Sequence, residues 1–419
     1  MTLLRSLVLM STVWLLSTST VVAQRGEWRS YGADVASSKY SPLDQITGAN
    51  AGDLQIVWRQ STIPQAVRQG SSVRAPSVVQ NTPLMAEGRL YVSTALGTVA
   101  ALDAATGEVV WFDPLPEGVG RRGGASRGVA YWSDSTSDDA RVIAVVGSTL
   151  VALNARTGTR YDDFGDGGEV DLTQGYDTRS VSEFVWRSAP LVVNDVVVVG
   201  SANTDFVNET MPARKEMPPG DVRGFNVRTG EQLWIFHTVP QEGEVGNDTW
   251  LTGPNEDRAS WEYTGNTNMW AWPSADEELG YVYLPLSTPT NDYYGGHRPG
   301  DNLFAESLVC LDARTGERVW HFQAVHHGVW DYDFPAAPNL IDITVDGQEI
   351  KAVAIVSKQG FTYVFDRSTG EPVWPIEERA VATGDVPGEW YAPTQPFPTK
   401  PQPYEQQGVS VDDLIDFTP

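Results

Sequence analysis

The stretch Cys310-Leu-Asp-Ala-Arg-Thr-Gly-Glu-Arg-Val-Trp320 decides the fold, because its pattern returns several times along the chain. In each copy an apolar run ends at Asp or Asn and a Thr-Gly pair follows; four of the five copies place a Trp four residues after the Gly. The Asp or Asn side chain opens a turn by bonding to the backbone, and Gly closes it by supplying a positive φ. The other copies are residues 101–111, 152–158, 224–234 and 364–374, of which the second lacks the Trp. The pattern therefore predicts repeated β-hairpins that present a docking aromatic side chain.

The spacing of the copies predicts an all-β propeller. The glycines of successive copies are 51, 72, 86 and 54 residues apart. One hairpin cannot bury its own apolar face, so the copies must pack on one another. The shorter spacings match a four-stranded blade, and the longer ones match a blade with inserted loops. Residues 54–58, which end at Trp58, are predicted to be a strand of a further blade. A generic β-solenoid or sandwich is the alternative fold.

Composition and charge narrow the class of protein. The chain has 39 Gly, 27 Pro and 15 Trp residues, which suits a turn-rich β protein. Its net charge of −25 argues against nucleic acids and anionic membrane surfaces as partners. Cys310 is the only cysteine, so no disulfide can form within the chain, and its apolar neighbours predict a buried strand position.

The two ends of the sequence carry separate signals. Residues 1–23 are predicted to be a signal peptide, with Arg5, an apolar core and small residues before a cut ahead of Gln24. A retained lipid-facing anchor is the alternative. We expect a periplasmic protein over residues 24–419, with at most peripheral membrane association. No closing repeat follows the Pro-rich residues 393–403, so the propeller is expected to lack its C-terminal blades.

The repeats resemble the tryptophan-docking motif of the dehydrogenases that depend on pyrroloquinoline quinone (PQQ). The resemblance runs from about Trp28 to the end of the chain and is strongest to the membrane glucose dehydrogenase branch. It implies an eight-bladed β-propeller that holds PQQ and a divalent metal. The stretch His326-His-Gly-Val-Trp-Asp-Tyr-Asp-Phe-Pro335 resembles the segment with the family's catalytic aspartate, which falls on Asp331.

The resemblance implies a role for further residues. Lys358 matches the cation that bonds the quinone oxygens, Arg127 matches the arginine that pairs with a PQQ carboxylate, and Trp270 matches the indole beneath the ring system. Gln80 stands where the family has a glutamate that touches the cofactor. The implied metal ligands are Asp205, Thr288, Asp331 and Asp333. Thr288 agrees with glucose dehydrogenases, whereas alcohol dehydrogenases have Asn there, and the adjacent cysteines of alcohol dehydrogenases are absent.

These residue types suit the implied chemistry. A flat quinone with three carboxylates needs an aromatic platform and fixed cations. Oxygen ligands favour Ca²⁺ or Mg²⁺. Asp333 stands where the similar lanthanide-using alcohol dehydrogenases carry an extra carboxylate ligand, so the resemblance also allows a lanthanide. We expect oxidation of an alcohol or sugar, with an aldose or polyol favoured. Hydride passes to PQQ, Asp331 serves as base with its pKa depressed by a nearby cation, and electrons pass to a quinone or cytochrome.

Other readings of the same residues stay open. The main one is a non-enzymatic propeller scaffold of the outer-membrane assembly type, and another is a remnant that has lost its cofactor. Asp331 can cap a turn, Trp270 can be ordinary core, and Lys358 and Asp205 can be solvated surface groups. His326 and His327 are expected on opposite faces of a strand, so at most one of them lines the substrate entrance.

Overall fold

The computed structural model describes residues 26–63, 65, 79–94, 96–113, 127–175, 184–185, 188–203, 214–415 and 417, with the backbone alone at 184–185 and 202–203. The predicted signal peptide and Asp205 lie outside this part of the chain. Antiparallel sheets of consecutive or nearly consecutive strands make up the fold. Short 3₁₀ turns occur at Ala51–Asp53, Asn247–Thr249, Ser260–Glu262 and Val411–Asp413.

Five sheets, which we call blades 1 to 5, repeat one meander along the described residues. Blade 1 has β1 (Leu84–Ala86), β2 (Arg89–Ser93), β3 (Val99–Asp103) and β4 (Val109–Phe112). Blade 2 has β5 (Ala130–Ser133), β6 (Ala140–Val146), β7 (Thr149–Asn154) and β8 (Glu169–Asp171). A two-stranded sheet pairs β9 (Phe184–Val185), which precedes blade 3 in sequence, with β12 (Ala202–Asn203), which lies between the second and third strands of that blade. Blade 3 has β10 (Leu191–Val193), β11 (Val196–Val199), β13 (Val222–Asn226) and β14 (Gln232–Phe236).

The remaining sheets continue the pattern. Blade 4 has β15 (Ser274–Asp276), β16 (Tyr281–Pro285), β17 (Ser307–Asp312) and β18 (Arg318–Gln323). Blade 5 has three strands, β19 (Asn339–Val345), β20 (Gln348–Val356) and β21 (Thr362–Asp366). A hairpin of β22 (Ile376–Ala380) and β23 (Thr394–Pro398) follows. The all-β blade architecture is confirmed, whereas the total of eight blades stays a prediction.

The turn of the repeated phrase forms as its sequence predicts. In blade 4, Asp312 Oδ1 accepts the backbone N–H groups of Arg314 at 2.9 Å and Thr315 at 3.0 Å. The Gly316 N–H then donates to the Asp312 carbonyl at 2.8 Å, and Gly316 has a φ of +74°. A side chain at this glycine would be strained, because positive φ is unfavourable for residues with a Cβ.

The tryptophan of each phrase docks on the glycine of the next. The Trp234 indole N–H donates to the Ala313 carbonyl at 2.8 Å, and a Cβ on Gly316 would lie 2.6 Å from Trp234 Cγ. The same pairing joins Trp58 to Gly107, Trp111 to Gly158 and Trp320 to Gly370.

The joint between blades 2 and 3 differs, because the second phrase has no tryptophan. Its place is taken by apolar side chains from the segment after that phrase. Gly230 of blade 3 faces Val170 and Phe164, with ideal Cβ distances of 2.9 and 3.2 Å. The apolar joint is therefore kept with different residues.

Residues 54–58 do not form the predicted strand in the described structure. Trp58 docks on Gly107 as an outer-strand tryptophan does, but residues 54–58 form no ladder with any strand in the described ranges. Leu54, Ile56 and Val57 are 62%, 76% and 86% exposed. A strand needs a neighbour to accept its backbone bonds, and the described part of the chain supplies none here.

The segment at residues 28–37 lies along the first strands of the blades. Trp28 exchanges two backbone hydrogen bonds with Met85 of β1, each 2.8 Å long. The Val35 carbonyl accepts the Ala275 N–H of β15 at 2.7 Å, and the Ala36 carbonyl accepts the Leu340 N–H of β19 at 3.0 Å. This segment therefore ties blades 1, 4 and 5 together near their first strands.

Apolar side chains from facing blades form the core. Cys310 is fully buried in β17, as predicted, and burial raises the pKa of its thiol. In the described ranges, no helix has the length and apolar character needed to cross a membrane.

Candidate active site

The candidate site residues meet at one edge of the blades. Arg127 and Trp270 precede the first strands β5 and β15, and Asp331 and Asp333 lie in the segment that leads to β19. Thr288 and Lys358 follow the second strands of their blades, β16 and β20. First and second strands of a blade are antiparallel, so the start of one lies beside the end of the other. The fold thus gathers residues that are far apart in sequence.

Two cations lie close to the Trp270 ring. The Arg127 guanidinium carbon is 4.9 Å from the ring centroid and Lys358 Nζ is 5.6 Å from it. Arg127 also donates from Nη1 to the Trp270 carbonyl at 2.5 Å and from Nε to Gln80 Oε1 at 3.2 Å. Trp270 is therefore partly exposed and not a fully buried core residue. Gln80 touches Arg127 and so belongs to the same cluster.

Lys358 links the two aspartates. Its Nζ is 2.8 Å from Asp331 Oδ2 and 3.0 Å from Asp333 Oδ2. The Trp270 indole N–H donates to the same Asp333 oxygen at 2.8 Å. Burial lowers the pKa of Lys358, but the Asp333 and Asp331 carboxylates outweigh it, so the net pKa is raised and the ammonium stays charged. Lys358 is therefore paired with two carboxylates, although its side chain is 31% exposed.

The pKa of Asp331 differs from the expectation of a depressed value. Burial and the neighbouring Asp333 carboxylate raise the pKa of Asp331 to about 7, although Lys358 opposes them. One ammonium shared between two carboxylates cannot offset both the burial and their mutual repulsion. The Asp331 backbone has a φ of +53°, and its side chain is 30% exposed. Its carboxylate is thus partly accessible, at a strained backbone position.

A residue that the sequence reasoning missed lies beneath this cluster. Glu306 is fully buried, and its Oε1 accepts the Thr288 hydroxyl at 2.9 Å and the Tyr332 N–H at 3.2 Å. Burial and the Asp333 charge raise the pKa of Glu306 to about 8. The Thr288 N–H donates to Asp333 Oδ1 at 2.7 Å, and the Thr288 hydroxyl oxygen lies 3.0 Å from the same atom, so Glu306 and Asp333 share its single proton. The one sequence signal was an acidic residue leading directly into the apolar strand β17.

The site suits a flat, multiply anionic ring. An aromatic platform with a guanidinium and an ammonium beside it offers stacking and charge pairing to one ligand. The predicted metal ligands Thr288, Asp331 and Asp333 carry the hard oxygen atoms that Ca²⁺ and Mg²⁺ prefer. Across the described ranges, however, no three His, Cys, Asp or Glu side chains gather as a metal site. The aromatic platform and its two cations therefore fit PQQ. The predicted metal ligands in the described ranges do not by themselves form a metal site.

The two histidines occupy a turn, so the expectation based on strand alternation is wrong. β18 ends at Gln323, and His326 and His327 lie in the turn that follows. His327 is buried, with a positive φ of 49°, and His326 is partly exposed beside the β22–β23 hairpin. Their directions are set by the turn and by hydrogen bonds to neighbouring segments.

Comparison with known proteins agrees with this architecture. The sequence model described as "PQQ: Glucose/ethanol/alcohol dehydrogenase, beta-propeller domain" matches residues 28–419. The chain is 34% identical to the glycerol dehydrogenase large subunit of Gluconobacter oxydans over 89% of its length and 49% of that protein. It is 32% identical to the quinoprotein glucose dehydrogenase of Escherichia coli, over 88% of this chain and 46% of that one.

A solved structure extends the comparison to the fold. The quinohemoprotein alcohol dehydrogenase from Comamonas testosteroni superposes with a TM-score of 0.68 and 25% identity, covering 90% of this chain and 52% of that chain. The chain spans about half the length of the curated relatives it matches. The repeats, the site and the family match lead to one conclusion: the chain belongs to the PQQ-dependent glucose/ethanol/alcohol dehydrogenase β-propeller family.

Proposed function

We propose that this chain binds PQQ on Trp270 and takes part in the oxidation of an alcohol or sugar. The observation that carries the proposal is the Trp270 ring with Arg127 and Lys358 both close to it, where Lys358 is also bonded to Asp331 and Asp333. A binding platform, a cation for the quinone oxygens and a candidate base thus lie within one connected cluster. The curated relatives named above are a glycerol and a glucose dehydrogenase, so a polyol or an aldose is the favoured substrate class.

The residues around Trp270 have different roles in the proposed binding of PQQ. Arg127 offers a planar fork to a cofactor carboxylate, and its bonds to the Trp270 carbonyl and to Gln80 fix the direction of that fork. Lys358 presents an ammonium that would stabilise negative charge on a quinone oxygen. When bound, PQQ supplies the two-electron acceptor for the hydride that leaves the substrate carbon.

Asp331 is the proposed base. The substrate hydroxyl must lose its proton as the C–H bond breaks, and the Asp331 carboxylate is the partly exposed acceptor beside Lys358. Glu306 and Thr288 hold the backbone and the second carboxylate of the same turn through the contacts described above. They restrict where Asp331 can lie.

A hard cation, Ca²⁺ or Mg²⁺ with a lanthanide as a further candidate, is proposed on donor chemistry alone. Asp331, Asp333 and Thr288 would supply oxygen atoms and Asp205 a further carboxylate. We also propose that the protein acts in the periplasm, after removal of residues 1–23, and that electrons leave to a quinone or a cytochrome. The scaffold alternative is disfavoured because the family match and the named relatives are dehydrogenases.

Reconstitution tests the proposal. Purified protein is titrated with PQQ in the presence of Ca²⁺, Mg²⁺ or a chelator, and binding is followed by quenching of tryptophan fluorescence. Dye reduction is then measured with glycerol, other polyols, glucose and simple alcohols. We expect binding of PQQ and metal-dependent turnover, which Asp331→Asn lowers by about 10²-fold or more while PQQ still binds. Normal turnover in Asp331→Asn refutes the role of this base, and a folded protein that fails to bind PQQ refutes the proposal as a whole.

A further inference from the structure

The connection between β22 and β23 reaches back to the turn that carries Asp331. Residues 382–388 of this connection are exposed, but the Glu389 side chain that follows is only 3% exposed. Its Oε2 accepts the Gly295 N–H at 2.7 Å, and its Oε1 accepts the Trp390 N–H at 2.9 Å. A carboxylate withdrawn from water in this way needs such donors to offset its desolvation.

His327 completes the set of partners around Glu389. Its Nε2 lies 3.1 Å from Glu389 Oε1, and its side chain is fully buried with the Trp390 ring edge-on at 4.8 Å. The other ring nitrogen, Nδ1, lies 2.9 Å from the Gly300 carbonyl. Both contacts are to acceptors, so the ring donates to both only when it is doubly protonated. Burial raises the pKa of Glu389, but His327 and the two N–H donors outweigh it, so the net pKa is lowered.

A second buried contact holds the neighbouring residue. Arg298 is fully buried, and its Nη2 donates to the Gly328 carbonyl at 2.7 Å. Its Nη1 donates at 2.8 Å to Asn302 Oδ1, which also lies 3.2 Å from His327 Nδ1. The segment from His327 to Asp331 is thus held by buried hydrogen bonds at its first two residues, and the second of these lies three positions before the proposed base.

The backbone of the segment from His327 to Asp331 is strained at both ends. His327 and Asp331 have φ values of +49° and +53°, which residues with a Cβ adopt only where the surroundings hold them. The turn itself is short and cannot supply that support alone. The contact with Glu389 joins residues 62 positions apart, and it holds the Nε2 side of the His327 ring from outside the turn, while Gly300 and Asn302 hold the Nδ1 side.

We propose that Glu389 is a positioning residue for Asp331, acting through the buried His327 ring. The inference rests on the proposed function, in which Asp331 is the base. The exposed part of the β22–β23 connection is then tied, through one buried side chain, to the geometry of the reacting group. A displacement of about 1 Å at a reacting group can cost 10²-fold in rate, so a loosened turn should lower kcat more than it changes KM.

The chain contains a matched control for this pair. Glu378, in β22 of the same hairpin, faces Nε2 of the adjacent His326 at 3.2 Å. This pair has the same chemistry, but its side chains are 51% and 23% exposed. An exposed ion pair contributes little, whereas removal of one partner of a buried pair leaves the other unsatisfied.

The test compares Glu389→Gln with Glu378→Gln in the whole chain. Amide hydrogen exchange is measured by mass spectrometry on peptides from residues 326–335, together with PQQ binding, kcat and KM. For Glu389→Gln we expect exchange about tenfold faster or more in these peptides and kcat about tenfold lower or more, with KM and the PQQ Kd within about twofold. For Glu378→Gln we expect no change in any of them. His327→Gln should reproduce the effect from the other partner, and should add little to Glu389→Gln in the double variant.

The outcomes distinguish the proposed role of Glu389 from the proposed function of the chain. Unchanged exchange and an unchanged kcat in folded Glu389→Gln overturn the inference. Equal effects of both glutamate substitutions also overturn it, because burial would then not matter. If Glu389→Gln does not fold, His327→Gln decides by the same criteria. If wild-type protein shows no turnover at all while exchange still rises only in Glu389→Gln, the proposed function fails and the role of Glu389 in holding the turn stands.

Discussion

Substituting Gly316 by Ala tests how the blades are joined. Two costs apply at this site. The φ of +74° places an alanine in the left-handed region, which costs about 1–2 kcal/mol. The new methyl group would also lie 2.6 Å from Trp234 Cγ and 2.7 Å from Cδ2, and overpacking of this kind costs about 1–3 kcal/mol. The expected loss in the free energy of unfolding is therefore about 2–5 kcal/mol.

Gly280 is the matched control for this substitution. It closes the β15–β16 turn with a φ of +71°, and its N–H donates to the Asp276 carbonyl at 2.8 Å, much as Gly316 donates to Asp312. No atom lies within 4 Å of its ideal Cβ. Gly280→Ala should therefore lose only the backbone part, about 1–2 kcal/mol.

Denaturant unfolding, followed by tryptophan fluorescence and compared at constant m, measures both losses. The excess for Gly316→Ala, about 1–3 kcal/mol, should shrink when Trp234 is already replaced by Ala, because the ring atoms are then gone and only the Cβ of residue 234, 2.8 Å away, remains. Equal losses for the two glycines, or an excess that is unchanged without the indole, would show that the indole does not dock as described.

Three further predictions concern the site and the turns. Lys358→Gln should weaken PQQ binding about tenfold in fluorescence titrations, since it removes a cation from the platform and leaves two carboxylates facing each other; an unchanged Kd would contradict this. Arg127→Lys should weaken PQQ binding by a similar factor although the charge is kept, because an ammonium cannot present the planar fork, and equal affinity would count against the fork. Burial raises the pKa of Asp366, but bonds from Ser368 and Thr369 outweigh it and lower the net value, so its stabilisation is present above its unfolded pKa of about 4 and lost as the pH falls. Asp366→Asn, which copies the Asn of the second and third phrases, should lose less stability between pH 6 and pH 3 in thermal unfolding than wild type, and an identical pH dependence would refute this.

Local sequence was sufficient to predict the hairpins and most of the joints between blades. The Asp-to-Gly turn is closed by bonds within five residues, so its sequence carries all of its partners. The joint of blades 2 and 3 was not predictable in the same way. Phe164 and Val170 lie outside the repeated phrase, and only the fold brings them to Gly230.

The site was partly predictable for a similar reason. Resemblance to a family identified five residues that the fold brings together: Arg127, Trp270, Asp331, Asp333 and Lys358.

Glu306 and Glu389 were missed, because nothing near either residue in sequence indicates its partners. The Glu389–His327 contact spans 62 positions. The pKa of Asp331 could not be predicted from the presence of a cation alone, since its direction depends on burial and on the second carboxylate.

The segment at residues 28–37 has a consequence for the order of folding during synthesis. Its backbone partners include Ala275 and Leu340, which the ribosome makes about 240 and 300 residues later. At about 5–20 residues per second, this segment waits on the order of 15–60 s for its last partner. Blade 1 can close its own sheet long before then. Residues 35 and 36 therefore find these partners only after blades 4 and 5 begin to be made, and the described blades cannot be completed by simple addition in the order of synthesis.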